Sequence, residues 1–422
     1  MRTLAEWLEL QDSVHPKSID LGLERVAWVA DALGLRPVPY RVITVGGTNG
    51  KGSTVAHLEM LLRALGLRTG TFTSPHLVRY NERIRLDGEE ASDAELIGAF
   101  ERIEAARGAT TLTFFEYSTL TALLIFAARG VAVSVLEVGL GGRLDATNII
   151  DADVAVLASV GMDHRDYLGE DLESIGREKA GIFRSGRPVV LGCAKMPESV
   201  FAAIAALGAH ALIARRDFTW QVAGNGRWSY QGHQSFEDLA PPGLAGVIQY
   251  QNAATALAAL EALRLPQQLD PKLISAALSR TRLAGRFQIL PGPVEWILDV
   301  AHNEPAARVL ARHLAARARV PRTFAVTGIL RDKDAAGIGR ALAPQVDHWI
   351  LCTLPGARGS AASELAGRMG ETIDGDAEQA LSVHEGCARA RALARPGDRV
   401  LVFGSFIVVG SALQWLGLYL IS

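Results

Sequence analysis

Arg41-Val42-Ile43-Thr44-Val45-Gly46-Gly47-Thr48-Asn49-Gly50-Lys51-Gly52-Ser53 is the stretch that decides the reading of this chain. A short β-branched run, Arg41–Val45, meets a glycine-rich turn, and helical apolar spacing then runs from Ser53 to Leu65. Strand, loop and helix in that order make a phosphate cradle. Glycines let backbone N–H groups turn inward, and the helix start adds its positive end. Lys51 would reach the β- and γ-phosphates, and Ser53, with Thr54 beside it, would offer a hydroxyl to Mg²⁺. The loop departs from GxxxxGK[ST]: Val45 stands where the first glycine would fall, and Gly52 where Ser or Thr would follow the lysine. A plain glycine-rich strand–helix turn is the alternative for the loop alone; its flanks favour a nucleotide. The expected ATP-binding set is Thr48, Asn49, Gly50, Lys51, Gly52, Ser53 and Thr54.

Outward from this loop, strand and helix signals alternate. Strands are expected at Arg68–Thr73, Val131–Val138 and Val154–Val160. Helices are expected from Ser92, which with Glu95 forms a capping box, to about Arg107, and over Phe115–Arg129. Buried strands alternating with helices mark a parallel sheet covered on both faces. Phe218–Phe236 breaks the rhythm and reads as a hairpin around Asn225-Gly226. Helices follow at Asn252–Arg264 and Pro271–Arg282. After the Pro291-Gly292-Pro293 turn the alternation restarts, with strands near 294–299, 323–328, 348–353 and 399–403. The expected fold is α/β: a P-loop NTPase-like N-terminal domain with a mainly parallel sheet, residues 1–287, and a smaller Rossmann-like α/β C-terminal domain, residues 288–422. Phe406–Ile421 reads as a buried last helix and not a membrane tail.

Length and composition fit this. The 422 residues suffice for two or three domains. Lys plus Arg number 43 against 45 Asp plus Glu, a net charge of −2, which argues against a dedicated nucleic-acid binder. Hydrophobic residues at 49% and charged residues at 21% are ordinary for a globular chain. Three cysteines with no CxxC pair argue against a disulfide scaffold and fit a reducing compartment. The N-terminal segment carries early acids and no continuous apolar stretch, so it does not read as a signal peptide. The expectation is a cytoplasmic protein without membrane or nucleic-acid partners.

Several further segments join the loop in pointing one way. Gly46-Gly47-Thr48-Asn49-Gly50-Lys51-Gly52-Ser53, Thr73-Ser74-Pro75-His76-Leu77, Asn81-Glu82-Arg83-Ile84 and Thr113-Phe114-Phe115-Glu116-Tyr117 come first. Leu136-Glu137-Val138-Gly139-Leu140-Gly141-Gly142-Arg143-Leu144-Asp145-Ala146-Thr147-Asn148, Asp163-His164 and Arg177-Glu178-Lys179-Ala180-Gly181 follow. Asn252-Ala253-Ala254, Gly285-Arg286-Phe287 and Leu298-Asp299-Val300-Ala301-His302-Asn303 complete the set. In this order, over nearly the whole chain, they resemble the Mur ligase superfamily of ATP-dependent carboxylate–amine ligases. Within it, they resemble the bifunctional dihydrofolate synthase/folylpolyglutamate synthase branch.

The resemblance implies an acyl-phosphate ligase. It would join L-glutamate to dihydropteroate and then add γ-linked glutamates to reduced folates, with ATP and Mg²⁺. Glu137, at a strand end where α/β sheets bind ligands, would be a Mg²⁺ ligand; a buried ion pair is the alternative. His164 would be another ligand, although a lone histidine in such a loop is more often structural. Lys179, by spacing alone a solvated helix lysine, would by resemblance be a carbamate on the metal. With Ser53 these are the expected metal ligands. Arg286 would clamp the γ-phosphate. Asn252, which could equally be an N-cap, would contact adenine, and Asp299 the ribose. His302 would sit at the glutamate end, and a general-base role for it is our own addition. Lys51, Glu137, His164, Lys179, Arg286 and His302 form the expected catalytic group. Thr113 and Phe115 would line the pterin side, with Phe115 the stacking platform or else part of a helix-entry cluster. Ser74 and Arg83 in the loop after the second strand, and Asp145 and Ala146, would line the same cleft. The expected oligomeric state is a monomer.

Three rivals remain: a monofunctional folylpolyglutamate synthase, a cell-wall Mur ligase and a P-loop nucleotide switch. Only about 40 residues precede the loop, which disfavours the second, and the switch leaves Asp299 and His302 unexplained.

Overall fold

The computed structural model describes residues 2–17, 19–373 and 377–419. The chain forms two compact units. The first reaches Gly243 and takes in Tyr250–Thr281; the second is Leu244–Gln249 with the chain from Arg282 onward.

The first unit is built on an eight-stranded sheet. Its strands are β1 (Arg41–Gly46), β2 (Thr69–Phe72), β3 (Ile84–Leu86), β4 (Glu89–Glu90), β5 (Val133–Glu137), β6 (Val154–Leu157), β7 (Pro188–Leu191) and β8 (His210–Ile213), ordered β4-β3-β2-β5-β1-β6-β7-β8. All neighbours run parallel except the β2-β3-β4 edge. The central strands are buried throughout, as expected for a sheet covered on both faces. One face packs against the helices Lys51–Ala64, Ile248–Leu263 and Pro271–Arg280 through Val55, Leu58, Leu62, Leu257 and Ile274. Another apolar layer gathers Trp7, Val29, Phe100, Tyr117, Leu120 and Phe126 from the N-terminal helices and from Asp93–Arg107 and Phe114–Arg129. Ser92–Glu95 and Thr113–Glu116 each close a full capping box, which fixes where those last two helices begin.

Three expectations need correction here. The expected hairpin is a three-stranded antiparallel sheet, β9 (Thr219–Val222), β10 (Trp228–Gln231) and β11 (Ser235–Leu239). Its first turn is at Asn225-Gly226, and Gly226 adopts φ +80°. The chain turns a second time because Glu261 accepts hydrogen bonds from the backbone of His233 and Gln234. Asn252 is not an N-cap: its helix begins at Ile248 and carries Asn252 in its second turn. Arg83 does lie after the second strand, closing a short 3-10 turn, Tyr80–Arg83, in the connection from β2 to β3. The last helix is Phe406–Trp415, and Gly417 at φ +69° ends it; Leu420 and Ile421 lie outside the described residues.

The second unit holds a six-stranded sheet of β12 (Gln288–Leu290), β13 (Glu295–Asp299), β14 (Thr323–Thr327), β15 (His348–Cys352), β16 (Glu378–Ala380) and β17 (Arg399–Phe403), ordered β12-β13-β17-β14-β15-β16. Only β12 runs antiparallel. Among the described residues no helix is long and apolar enough to cross a membrane.

Candidate active site

Three adjacent parallel strands set the geometry of the first unit's site. The register pairs Val45 of β1 with Glu137 of β5, and Gly46 of β1 with Leu157 of β6. The glycine loop, Glu137 and the loop carrying His164 therefore leave the same edge of the sheet, at strand C-termini.

The glycine loop is pressed onto its neighbours. Gly47 has φ +143°, and a Cβ there would lie 3.1 Å from the backbone nitrogen of Ser159. Gly50 caps the helix Lys51–Ala64 at φ +88°, and a Cβ there would lie 3.0 Å from Asn252 Oδ1. The Thr48 hydroxyl donates to the Gly161 carbonyl and accepts from its N–H, both at 3.0 Å. The Asn49 N–H donates to Ser159 Oγ, which donates back to the Asn49 carbonyl. Ser53 is buried at the helix start. The Thr54 hydroxyl, by contrast, donates to the Gly50 carbonyl within its own helix at 2.9 Å, a bond that holds the first turn.

Two lysines meet at one carbonyl. Lys51 Nζ donates to the Gly47 oxygen at 3.0 Å, and Lys179 Nζ donates to the same oxygen at 3.3 Å. Lys179 stands in the last turn of Leu172–Ala180 and is only 5% exposed, so it is not a solvated helix lysine. Burial first, then the charge of Lys51, pushes its ammonium down to about 7; Asp163 and Asp145 oppose this. The helix end is held by close backbone packing. The Arg143 N–H donates to the Glu178 carbonyl, and Asn148 Nδ2 donates to the carbonyls of Arg143 and Gly181. A Cβ at Gly142 would lie 2.8 Å from the carbonyls of Glu178 and Lys179, so only glycine permits that approach.

Glu137 is buried, and its Oε2 accepts from the Ser74 N–H at 3.3 Å. His164 sits at φ +50° before the short helix Arg165–Leu168, its Nε2 3.9 Å from Asp163 Oδ2. Among the described residues no three His, Cys, Asp or Glu side chains cluster to hold a metal. The donor set suits Mg²⁺ nonetheless. That ion keeps water and substrate phosphate oxygens and needs only one or two protein carboxylates, so a carboxylate and a hydroxyl beside a phosphate loop fit it.

On the neighbouring side, Phe115 packs over the turn that follows Glu137. A Cβ at Gly139 would lie 2.6 Å from its ring, and the ring centroid is 5.7 Å from that of Phe72. Thr113 is occupied as the N-cap, accepting from the Glu116 N–H at 3.2 Å. Asp145 is fully engaged in shaping its loop: Oδ2 accepts from the Leu140 N–H, and Oδ1 from the N–H and hydroxyl of Thr147. Burial raises its carboxyl pKa. Ala146 is buried beside it.

Sequence reasoning missed the N-terminal segment that docks here. His15 bonds Thr111 and Asp20 through its two ring nitrogens, and Arg25 bridges Asp20 at 2.8 Å and Glu116 at 3.2 Å. Of these residues only Glu116 fell within a segment the sequence singled out, Thr113–Tyr117, and it was given no role there.

In the second unit, Asp299 ends β13. Its two oxygens accept from the N–H groups of Phe287 and Ala301, both at 2.8 Å. Burial raises its pKa, and the charge of Arg286 opposes this. His302 Nδ1 lies 2.8 Å from the Val300 carbonyl. A carbonyl can only accept, so Nδ1 carries the proton and Nε2 is the basic nitrogen. Phe406 joins the two residues: Arg286 Cζ is 5.1 Å from its ring, and the His302 ring centroid is 6.2 Å away. Its aromatic side chain at a helix start gave no sequence signal for that role.

Comparison with known proteins agrees with the layout. The Mur ligase middle domain matches residues 45–191, and the Mur ligase glutamate ligase domain matches residues 285–406. The chain is 45% identical to the dihydrofolate synthase/folylpolyglutamate synthase of Escherichia coli K12, over 97% of this chain and 95% of that one. It is 42% identical to the enzyme of that name from Haemophilus influenzae, over 96% of each. Among solved structures, Escherichia coli FolC in complex with DHPP and ADP superposes with a TM-score of 0.93 at 43% identity, covering 99% of this chain and 98% of that one. A bifunctional folylpolyglutamate synthase/dihydrofolate synthase with Mn, AMPPNP and L-glutamate bound gives 0.91 at 43% identity, with the same coverage. On these matches and this geometry, the chain belongs to the dihydrofolate synthase/folylpolyglutamate synthase family of Mur ligases.

Proposed function

We propose that this chain ligates L-glutamate to dihydropteroate, forming dihydrofolate, and then extends tetrahydrofolates with γ-linked glutamates, using ATP. The observation that carries this reading is the convergence of Lys51 and Lys179 on the Gly47 carbonyl, beside the strand end that bears Glu137.

A carboxylate does not condense with an amine in water without activation. Here an acceptor carboxylate oxygen would bond to the γ-phosphorus of ATP as the bond to the β-phosphate oxygen breaks and ADP departs. The glutamate amine would then bond to the acyl carbon, and phosphate would leave. Two anions must be brought together, so fixed positive charge is the main catalytic requirement. Lys51, the loop N–H groups and Arg286 supply it in our reading. Asn252 would contact adenine and Asp299 the ribose. His302 Nε2 would take the proton that the glutamate ammonium loses.

Mg²⁺ would be held by Ser53, Glu137, His164 and a carbamate on Lys179, and when bound it would polarise the phosphate oxygens. Lys179 suits carbamate formation because a buried amine brought down to about 7 is substantially neutral at physiological pH. The nitrogen of the neutral amine would bond to the carbon of CO₂ and release one proton, leaving an anion where the protonated lysine would be a cation. Phe115, Thr113, Asp145, Ala146, Ser74 and Arg83 would form the pterin and carboxylate side. We take the protein to act as a cytoplasmic monomer, which sedimentation of the native protein tests.

The test of function is ADP release with MgATP, L-glutamate and dihydropteroate, each omitted in turn, then with tetrahydrofolate as acceptor. Release that requires both acceptor and glutamate supports the proposal. Release only with tetrahydrofolate makes the enzyme a monofunctional folylpolyglutamate synthase. Release without any acceptor removes the ligase reading.

A further inference from the structure

Arg83 is a buried cation without an acid. Its side chain is packed to 8% exposure in the turn Tyr80–Arg83, yet among the described residues no carboxylate lies within ion-pairing distance of its guanidinium. Buried guanidinium groups are normally paired, because the cost of desolvating an unpaired charge is several kcal/mol on the order-of-magnitude scale of burial.

The three acids nearest in charge are committed or exposed. Glu82 accepts from the N–H groups of Leu77, Val78 and Arg79 at 2.8, 2.7 and 2.6 Å. Glu137 accepts from Ser74 and is our candidate metal ligand. Asp12 lies exposed on the first helix. All three stabilise the Arg83 charge at a distance.

The guanidinium is nevertheless held in one orientation. Its Cζ is 5.1 Å from the Phe114 ring and 5.7 Å from the Tyr80 ring. Tyr80 is itself fixed by a 2.9 Å bond from its hydroxyl to Ser118. Arg83 Nε donates to His76 Nδ1 at 2.8 Å. His76 must therefore be neutral with its proton on Nε2, in keeping with burial and Arg83 pushing its pKa down to about 4. Among the described residues the terminal fork, Nη1 and Nη2, makes no hydrogen bond to a protein acceptor, and neither nitrogen is fully buried. A fork fixed in orientation with its terminal nitrogens open is suited to bidentate carboxylate recognition.

We propose that Arg83 receives the carboxylate of the acceptor substrate, the benzoate carboxylate of a pteroate or the glutamyl carboxylate of a folate, and that His76 is the positioning residue that aims it. The inference rests on the reading of the chain as a folate-class ligase and adds which group recognises the acceptor's acid. It also accounts for a cation beside Glu137, where a second anion must be drawn in.

The test is equilibrium binding to the full-length protein, with Mg²⁺ and a non-hydrolysable ATP analogue present. The probes are dihydropteroate and its carboxamide analogue, which keeps the pterin and ring but lacks the charge. Arg83→Gln should weaken dihydropteroate about 10- to 100-fold, the range of a charge-assisted hydrogen-bonded pair. It should leave carboxamide and nucleotide binding unchanged. Arg83→Lys, which keeps the charge without the fork, should recover part of the loss. His76→Ala should show a smaller, equally selective loss, and His76→Asn, whose Oδ1 can accept from Nε, should restore binding. Equal loss for both probes, or no loss for either, would overturn the assignment. So would unaltered binding in the His76 variants, for the positioning role. A wild-type protein that binds the nucleotide but neither acceptor removes the folate reading and this inference together. Selective loss combined with no ADP release would separate the two, keeping the carboxylate site while the ligase reading fails.

Discussion

Replacing Lys179 with methionine should make the protein more stable and inactive. The side chains are close in length and volume, so packing around residue 179 is kept. What disappears is an amine held in a dry site beside Lys51. Its ordinary pKa is 10.5 and its folded value about 7. At pH 7 the unfolded chain carries this proton fully and the folded chain carries about half of it, which costs the fold about 4 kcal/mol. The unfolded state binds more protons, so this penalty shrinks as pH rises, to about 2 kcal/mol at pH 9. The Gly47 carbonyl is not orphaned, since Lys51 still donates to it at 3.0 Å. Lys179→Met should therefore gain on the order of 2–4 kcal/mol at pH 7 over wild type, after allowance for relaxation around the buried charge. It should also lose the wild-type increase of stability between pH 7 and 9. The assay is denaturant unfolding of the nucleotide-free protein in chelator and CO₂-depleted buffer, followed by ligase turnover in MgATP. A variant no more stable than wild type, with the same pH slope, would refute the claim that this amine is buried at a cost; full turnover would refute its role.

The same logic gives several further expectations. Gly50→Ala must adopt φ +88° and pushes on Asn252, so it should lose about 1–2 kcal/mol of stability together with ATP-analogue affinity. Gly66→Ala, at φ +74° with open space around it, is the control: similar strain, unchanged nucleotide binding by calorimetry. Thr113→Ala removes an N-cap and should cost about 1 kcal/mol, raising the KM for dihydropteroate and not for ATP. His302→Ala should cut kcat at saturating glutamate by about 100-fold or more, as loss of a general base does, with an unchanged melting temperature. Turnover equal to wild type would remove the base role.

How much of this was legible depended on how local each signal is. The strand, loop and helix from Arg41 to Ala64 could be read directly, because apolar periodicity and glycine placement act within a dozen residues. The capping box at Ser92 was legible for the same reason; the one that Thr113 forms with Glu116 went unread, and the helix start was placed at Phe115. Lys179 was legible only through resemblance. Its helix looks solvated by spacing, and its burial comes from residues 142–148 packing onto the helix end across glycines. Asn252 was misplaced by a turn because Ile248, Gln249 and Tyr250 carry no capping signal. The third strand of the small sheet depends on Glu261, more than 20 residues away from it in sequence. Short strands such as β3, β4 and β16 gain their order from the neighbour they pair with and leave little pattern of their own. Arg83 could be suspected from its motif. Its want of an acid partner, which carries the inference drawn from it, exists only in three dimensions.

The central claim is that the acceptor is activated as an acyl phosphate. The direct measurement uses dihydropteroate whose carboxylate carries heavy oxygen, turned over with MgATP and L-glutamate, with the released phosphate analysed by mass spectrometry. The account predicts that each dihydrofolate formed leaves one heavy oxygen in phosphate, since the oxygen that bonded to phosphorus departs with it. Phosphate with only ordinary oxygen, or formed without consumption of the acceptor, would contradict it.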